Sequence, residues 1–408
     1  MRSSASGAVV RNRGLRAIPR GVWALGFVSL CMDLSSELIH SLLPLYMAIS
    51  LGASTVVIGV VEGIAEALAL VVRVISGVLS DVVRKRKALV VTGYSVAAVT
   101  KFIFPLAPTL GWAVTARFAD RIGKGIRGAP RDALIADITE ANLRGASFGL
   151  RQALDTVGAV LGPLAALAAM AYFAGDFKAS FWVAVIPAVI CVVVLVFGVQ
   201  EPEHVGGDSN AGDRLQLADA KRLPPAFWII VAIAAVLTLA RFSEAFLVLR
   251  AQNVGLEPST APWVMVVMSL VYAIASYPAG AAADRGQGAR LLWSGFAALI
   301  VADLLLAWAT SPAVALAGSA LWGLHMGLTQ GLLAALVSAC APADLRGTAF
   351  GVFNLACGVA LLVASALAGW LWDAFGPRFA FYAGAAFTTV ALIGLLTRGR
   401  DVGKLQSA

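Results

Sequence analysis

The stretch DRIGKGIRGAPRD, residues 120 to 132, threads Arg121, Lys124, Arg127 and Arg131 between glycines and flanks them with Asp120 and Asp132. With Arg117 one turn upstream, the five basic residues project within an arc of about 120° on a helix, as one stripe. Acids recur at one-turn spacing in other apolar stretches: Asp33 with Glu37, Glu62 with Glu66, and Asp155 further on. A carboxylate beside a cation, away from water, can exchange a proton for a change of ionic partner. Burial disfavours the charged acid and a neighbouring Arg favours it, so the two effects compete. Such groups suit the movement of protons and need no cofactor.

The stretches that carry these charges are apolar. The chain has 408 residues, 60% of them hydrophobic and only 13% charged, against about 45–50% and about 25% in soluble domains. Runs long enough to cross a bilayer fall near 22–50, 54–79, 88–107, 111–137, 145–173, 179–199, 225–250, 262–283, 289–309, 312–339, 346–371 and 378–397. Backbone amides in lipid need partners within their own segment, and these runs are too long and uniform for barrel strands, so the expectation is an all-α membrane protein of twelve transmembrane helices. The formal charge of +8 is no sign of nucleic-acid binding. Arg2, Arg11, Arg13, Arg16 and Arg20 precede the first span, and Arg84, Lys85, Arg86 and Lys87 follow the second, whereas 51–53, 105–110 and 309–312 carry no basic residue. That bias places both termini in the cytoplasm, with the chain in the inner (plasma) membrane. The first run carries Asp33 and Glu37 and lacks a small-residue cleavage site, so it reads as a retained span. Cys31, Cys191, Cys340 and Cys357 lie within spans and give no disulfide or metal framework.

One long polar interruption, EPEHVGGDSNAGDRLQLADAKRLP, divides the chain. The organisation read from it is a cytoplasmic tail (1–20), a six-helix half (21–200), a cytoplasmic linker (201–224), a second six-helix half (225–398) and a short tail (399–408). The halves repeat one another. GVLSDVVRKRK from Gly77 matches GAAADRGQGAR from Gly280, and NLRGASFG from Asn142 matches DLRGTAFG from Asp344, both pairs about 200 residues apart.

A parallel duplication with six spans per half resembles the major facilitator superfamily, over roughly residues 20 to 398. Gly77, Asp81, Arg84 and Arg86 stand where that superfamily's signature loop has its Gly, Asp and basic residues, and Gly280, Asp284 and Arg285 form the second copy. Val82 departs from the pattern, where an Arg is usual. The resemblance implies that this loop latches the halves as a cytoplasmic gate in the outward-facing state; physically, Gly77 permits close helix approach and Asp81 can cap a helix N-terminus or pair with a cation. Gly158, Gly162 and Pro163 resemble the fifth-helix motif of exporters, in which small residues pack tightly and the proline kinks the helix. Arg121 and Gly125 match the fourth-helix motif, with Lys124 where Gln is common and Arg127 where a small residue is common. The resemblance implies a proton-transfer role for Arg121.

Five unpaired cations at bilayer depth would each cost about 2.5–3.5 kcal/mol or more, so they need partners. The candidates for a proton-coupling charge network are Asp33, Glu37, Glu62, Glu66, Arg117, Arg121, Lys124 and Asp155. Arg127, Arg131, Asp132 and Asp137 read as structural pairs or as charges at the cytoplasmic edge, and Arg73 and Lys101 as pairing or snorkelling residues. His40 and His325 read as hydrogen-bonded interior residues. In the second half Gly327 stands at the position of Gly125 and Leu332 at that of Pro130, the basic stripe is missing, and a mostly apolar wall is expected. There Arg241, Glu244, Trp322, His325 and Gln330 are candidate substrate contacts.

The function read from this is secondary active transport by alternating access: proton-coupled export of a small organic or drug-like solute by a monomer, with the proton as coupling ion and no cofactor. An organic or phosphate-like anion carrier is the alternative. A metal-ion exporter lacks the His or Cys cluster that transition metals need, and a receptor or scaffold on the same fold is the non-transport reading. No His-Glu-x-x-His, Gly-x-Ser-x-Gly or phosphate-loop pattern speaks for an enzyme.

Overall fold

A computed structural model describes residues 18–83, 85–140, 143–201, 222–340 and 345–406. The N-terminal tail to residue 17 and the linker from 202 to 221 lie outside them. The first half is α1 (Arg20–Leu45, continued by a π-helical turn Tyr46–Ser50), α2 (Thr55–Val83), α3 (Arg86–Leu106), α4 (Leu110–Asp137), α5 (Arg144–Tyr172) and α6 (Phe177–Gly198). The second is α7 (Pro225–Ala240), α8 (Ala245–Asn253), α9 (Trp263–Ala282), α10 (Gly288–Trp308), α11 (Pro312–Cys340), α12 (Arg346–Phe375) and α13 (Pro377–Gln406). Among the described residues, ten stretches are long and apolar enough to cross a membrane. α4 is of the same length but falls outside that set because of its charges, and α11 is the other.

Two boundaries differ from the apolar runs. α13 continues past residue 397 to Gln406, with no proline to stop it. The run at 225–250 is two helices, because residues 241–244 are unwound between α7 and α8. Ser243 donates its backbone N–H to Ser365 Oγ on α12 at 3.1 Å, and the Ala245 N–H turns to Ser243 Oγ at 3.3 Å. Donors that would have closed the helix are used elsewhere, and a broken segment can persist in a membrane where protein groups satisfy it so.

Glycines decide how closely the charged helix approaches its neighbours. A Cβ on Gly123 of α4 would lie 2.7 Å from the Gly93 carbonyl oxygen of α3, and one on Gly125 would lie 2.8 Å from the Ala69 carbonyl oxygen of α2. α4 is thus drawn in between α2 and α3, and its cations reach side chains on both. On α5 the same device faces α1: a Cβ on Gly158 would meet the Leu30 carbonyl oxygen at 2.5 Å, and one on Gly162 would meet Glu37 Cβ at 2.7 Å. The small residues of the fifth helix therefore seat the acid-bearing face of the first.

The halves meet mainly where α2 lies along α12, and α5 also packs on α9. Gly59 abuts Ser365 and Gly369 abuts Thr55 so closely that an added Cβ would clash, and Gly63 sits tightly against Leu362. At the start of α2, Asp373 from the end of α12 accepts hydrogen bonds from the Thr55 hydroxyl and, at 3.0 Å, from the Val56 N–H. This carboxylate caps a helix of the other half. Contact is thereby made on the face that carries the 51–54 turn, opposite the linker. A shared apolar cluster, including Leu42, Leu43, Phe246, Leu247 and Val264, fills the same end.

Candidate functional site

α1 and α4 run antiparallel, so falling numbers on one face rising numbers on the other, and their polar residues align as successive levels. At the level farthest from the linker face, Arg117 donates to Glu62, and both are fully buried. His40 stands beside them, with Nε2 3.7 Å from Glu62 and Nδ1 3.4 Å from Glu37. One turn nearer the linker face, Arg121 donates to Glu66 at 3.1 Å and to Asp120 at 2.9 Å. Arg117 also reaches Glu66 at 3.5 Å, so the two levels are joined. Behind Arg121, Lys101 of α3 donates to Asp120 at 2.7 Å and to Ser36 at 3.0 Å.

At the next level the Asp33 carboxyl contacts that of Asp155, which also accepts from Arg151 at 3.4 Å. Lys124 lies within Coulombic reach of Asp33, Glu37, Glu66 and Asp155. It is exposed although acids of three helices surround it, so this level opens to solvent inside the bundle. Exposure fades along the ladder: the Glu66 side chain is 30% exposed, Glu37 21% and Glu62 0%. Nearest the linker, Arg131 donates to Ser29 at 3.1 Å and to Tyr94 at 3.4 Å. Arg127 is buried with its guanidinium 4.6 Å from the centre of the Tyr94 ring, in the geometry of a cation held over an aromatic face.

The eight charge-network candidates of the sequence are therefore brought together, and each cation of the stripe meets a different environment. His40, Lys101 and Asp120, outside that set, belong to the same assembly. His40 joins Glu37 to Glu62, and Lys101 neutralises Asp120. Their signal in the sequence was spacing: His40 follows Glu37 by three residues on α1, and a lysine within an apolar run implies a buried acid.

The second-half candidates surround the break. Arg241 and Glu244 are half-buried in the unwound turn and act on one another electrostatically. Glu244 also lies within Coulombic reach of His40, Glu37 and Glu66 across the halves. Trp322 is buried on the Phe242 ring, with centroids 5.4 Å apart. Gln330 accepts from the Tyr272 hydroxyl at 3.3 Å. His325 is buried with Nδ1 2.8 Å from the Gly295 carbonyl, so Nδ1 carries the proton and Nε2, without a hydrogen-bond partner among the described residues, is a bare acceptor. Asp303, which the sequence left without a role, is fully buried on α10, and neither oxygen has a hydrogen-bond partner among the described residues.

Of the gate-loop candidates, Gly77 packs toward Ala129 of α4. Arg86 pairs with Asp137 and donates to the Ala133 carbonyl at 3.1 Å, all within the first half. Arg73 donates to Asp132 at 3.0 Å. Gly280 has open space beside it and Arg285 is exposed. Arg84 and the side chains of Asp81 and Asp284 lie outside the described residues. Pro163 is buried in the middle of α5, beside Gly162. Among the described residues no group of three or more His, Cys, Asp and Glu is placed to hold a metal.

A family model described as Major Facilitator Superfamily matches residues 25–250 and 245–407. An uncharacterised MFS-type transporter of Methanocaldococcus jannaschii is 31% identical over 94% of this chain and 96% of its own length. The inner membrane transport protein YajR of Escherichia coli is 26% identical over 91% of this chain and 82% of its own. In fold, the chain is similar to a peptide transporter, POT, solved in complex with sulfate, at a TM-score of 0.77 and 15% identity, covering 97% of each chain.

Proposed function

This chain belongs to the major facilitator superfamily, a family of transporters and not of enzymes, and from that premise we propose that it couples export of a small organic solute to inward proton flow. It is a multi-pass membrane protein that carries small molecules. The finer reading is that the ladder of α1, α2, α4 and α5 is the coupling device and the turn between α7 and α8 the solute-facing wall.

One observation carries the proposal. Buried acids and cations share partners in a continuous series, Glu62 with Arg117, Arg117 with Glu66, Glu66 with Arg121, and the series passes from a dry end at Glu62 to an open one at Lys124. Protonating one acid adds one positive charge to the ladder and frees a cation to share the next acid, so one proton re-sorts the pairs while each cation keeps a carboxylate beside it. Breaking one buried pair by removing a partner outright would instead cost about 3–5 kcal/mol.

The direction rests on the fifth helix. Gly158, Gly162 and Pro163 have the pattern of exporters, and their seat is Asp33 and Glu37, so the motif and the proton sites are one contact. With termini and linker taken as cytoplasmic, the bundle is closed outside by Asp373 and α2, and open inside. The gate loop would then engage in the opposite state. Both halves lie in one chain, and the working unit proposed is a monomer in the plasma membrane.

An organic anion as substrate is the second reading. Each half offers a cation toward the interior: Lys124, which is exposed, and Arg241, whose Nε has no hydrogen-bond partner among the described residues.

Purified protein in liposomes with an imposed proton gradient, scored against panels of charged and neutral compounds, tests both readings. At least one of D33N, E37Q, E62Q, E66Q and D155N should abolish gradient-driven transport. Normal transport by all five contradicts the proposal, and a response confined to anions selects the second substrate class.

A further inference from the structure

We infer that His40 is the group that passes the coupling proton between the two sides of the membrane, a deduction that rests on the proton-coupled reading above. The ladder ends at this side chain. Toward the open side it faces Glu37, whose carboxylate is partly exposed; toward the dry side it faces Glu62, which is fully buried. Arg117 and Arg121 also bridge partly exposed Glu66 to a buried acid, but a guanidinium stays protonated and cannot relay. Among the described ladder residues His40 is the bridging group that can both accept and release a proton. The two ring nitrogens do this at once: an imidazole can accept a proton at Nδ1 from Glu37 and release one at Nε2 to Glu62, and return to its starting tautomer by a ring flip or by the reverse transfers. The balance is closed, because one proton leaves one carboxylic acid and one arrives at the other carboxylate.

His40 also stands where the two halves touch. On α1 it is flanked by Ile39 and by Leu42 and Leu43, which belong to the apolar cluster shared with Phe246 and Leu247 of α8. The charged groups that face it are Glu37 of its own helix, Glu62 of α2, Arg117 of α4 and Glu244 of the unwound turn in the other half. Arg117 opposes a positive imidazole; the three carboxylates favour it. Glu244 is the member of this set that moves with the second half, so separating the halves on this face changes the field at His40 as it exposes the ring to the other side. The proton is thus held while the path is sealed and released when the seal opens.

The test needs no knowledge of the solute. The chain has three histidines, His40, His204 and His325. Proteoliposomes on a solid-supported membrane are stepped from neutral to acidic pH, and the charge displaced by proton binding is recorded for the protein alone, with H204Q as the control in the linker. Wild type and H204Q should give the same saturable displacement, and H40Q should lose it at least tenfold. H40Q with the wild-type amplitude and midpoint overturns the role of His40. No displacement in the wild type contradicts proton coupling itself, which separates the two failures. If H40Q does not fold, E244Q tests the same claim with His40 intact: removing one facing anion should move the midpoint of the displacement toward acid by about one pH unit. An unmoved midpoint overturns it.

Discussion

Gly125 on α4 and Gly327 on α11 occupy the same place in the repeat, and each presses on a neighbouring helix, toward Val72 of α2 and Ala275 of α9. Around these shared contacts the halves diverge. In that register Lys101 corresponds to Asp303 and Asp120 to Trp322. The first half holds a buried ion pair at 2.7 Å, and the second holds an acid with no hydrogen-bond partner among the described residues and an indole tilted against the Phe242 ring. Gly123 lies against the carbonyl of Gly93; its counterpart His325 reaches the carbonyl of Gly295, the counterpart of Gly93, with a ring nitrogen. The scaffold was kept and the charge was not. An indole at an equivalent site needs no ionic partner, whereas the acids and cations of the ladder do.

The largest effect expected from this contrast is on stability. R117A leaves Glu62 buried beside His40 alone and should cost about 3–5 kcal/mol. D303N swaps one unpartnered polar group for another of similar size and should stay within about 1 kcal/mol. Thermal unfolding in detergent checks both, and equal losses would erase the distinction between the halves.

Next in size is packing. A methyl added at Gly158 would press on the Leu30 backbone, where little can shift, so G158A should cost about 1–3 kcal/mol. G280A, in open space, should be neutral or stabilise by up to about 1 kcal/mol through helix propensity. Gradient-driven transport should fall in G158A and not in G280A.

The smallest effect concerns the seal between the halves. D373N keeps a cap on α2 but removes its charge, at a cost of about 1 kcal/mol. It should raise the labelling rate of a cysteine placed at Ile58, which is fully buried here, severalfold by favouring the state open on that face. An unchanged rate would take Asp373 out of the gate.

Much of this was legible beforehand because it is written in local spacing. The stripe on α4, the acid pairs one turn apart on α1 and α2, and the glycines of α5 follow from helical period alone. That the stripe needed acids followed from the cost of burying charge. Which acid met which cation did not, since that depends on how far glycines let α4 sink between α2 and α3. His40 was passed over because a lone histidine in an apolar run is ambiguous until its neighbours on another helix are known. The unwound turn had no proline to announce it. Its trace was the polar run Arg241, Ser243 and Glu244 within an apolar span, and its cause, the Ser365 hydroxyl, lies on α12.

The central claim is that the acids that bind the coupling proton lie in the first half, and that the second half contributes only the field of Glu244. Proton-gradient-driven flux of one transported compound, measured side by side in E66Q and D303N proteoliposomes, addresses it most directly. Flux should fall at least tenfold in E66Q, where Arg117 and Arg121 lose a shared partner, and stay near wild type in D303N. Flux retained in E66Q and lost in D303N would contradict the account.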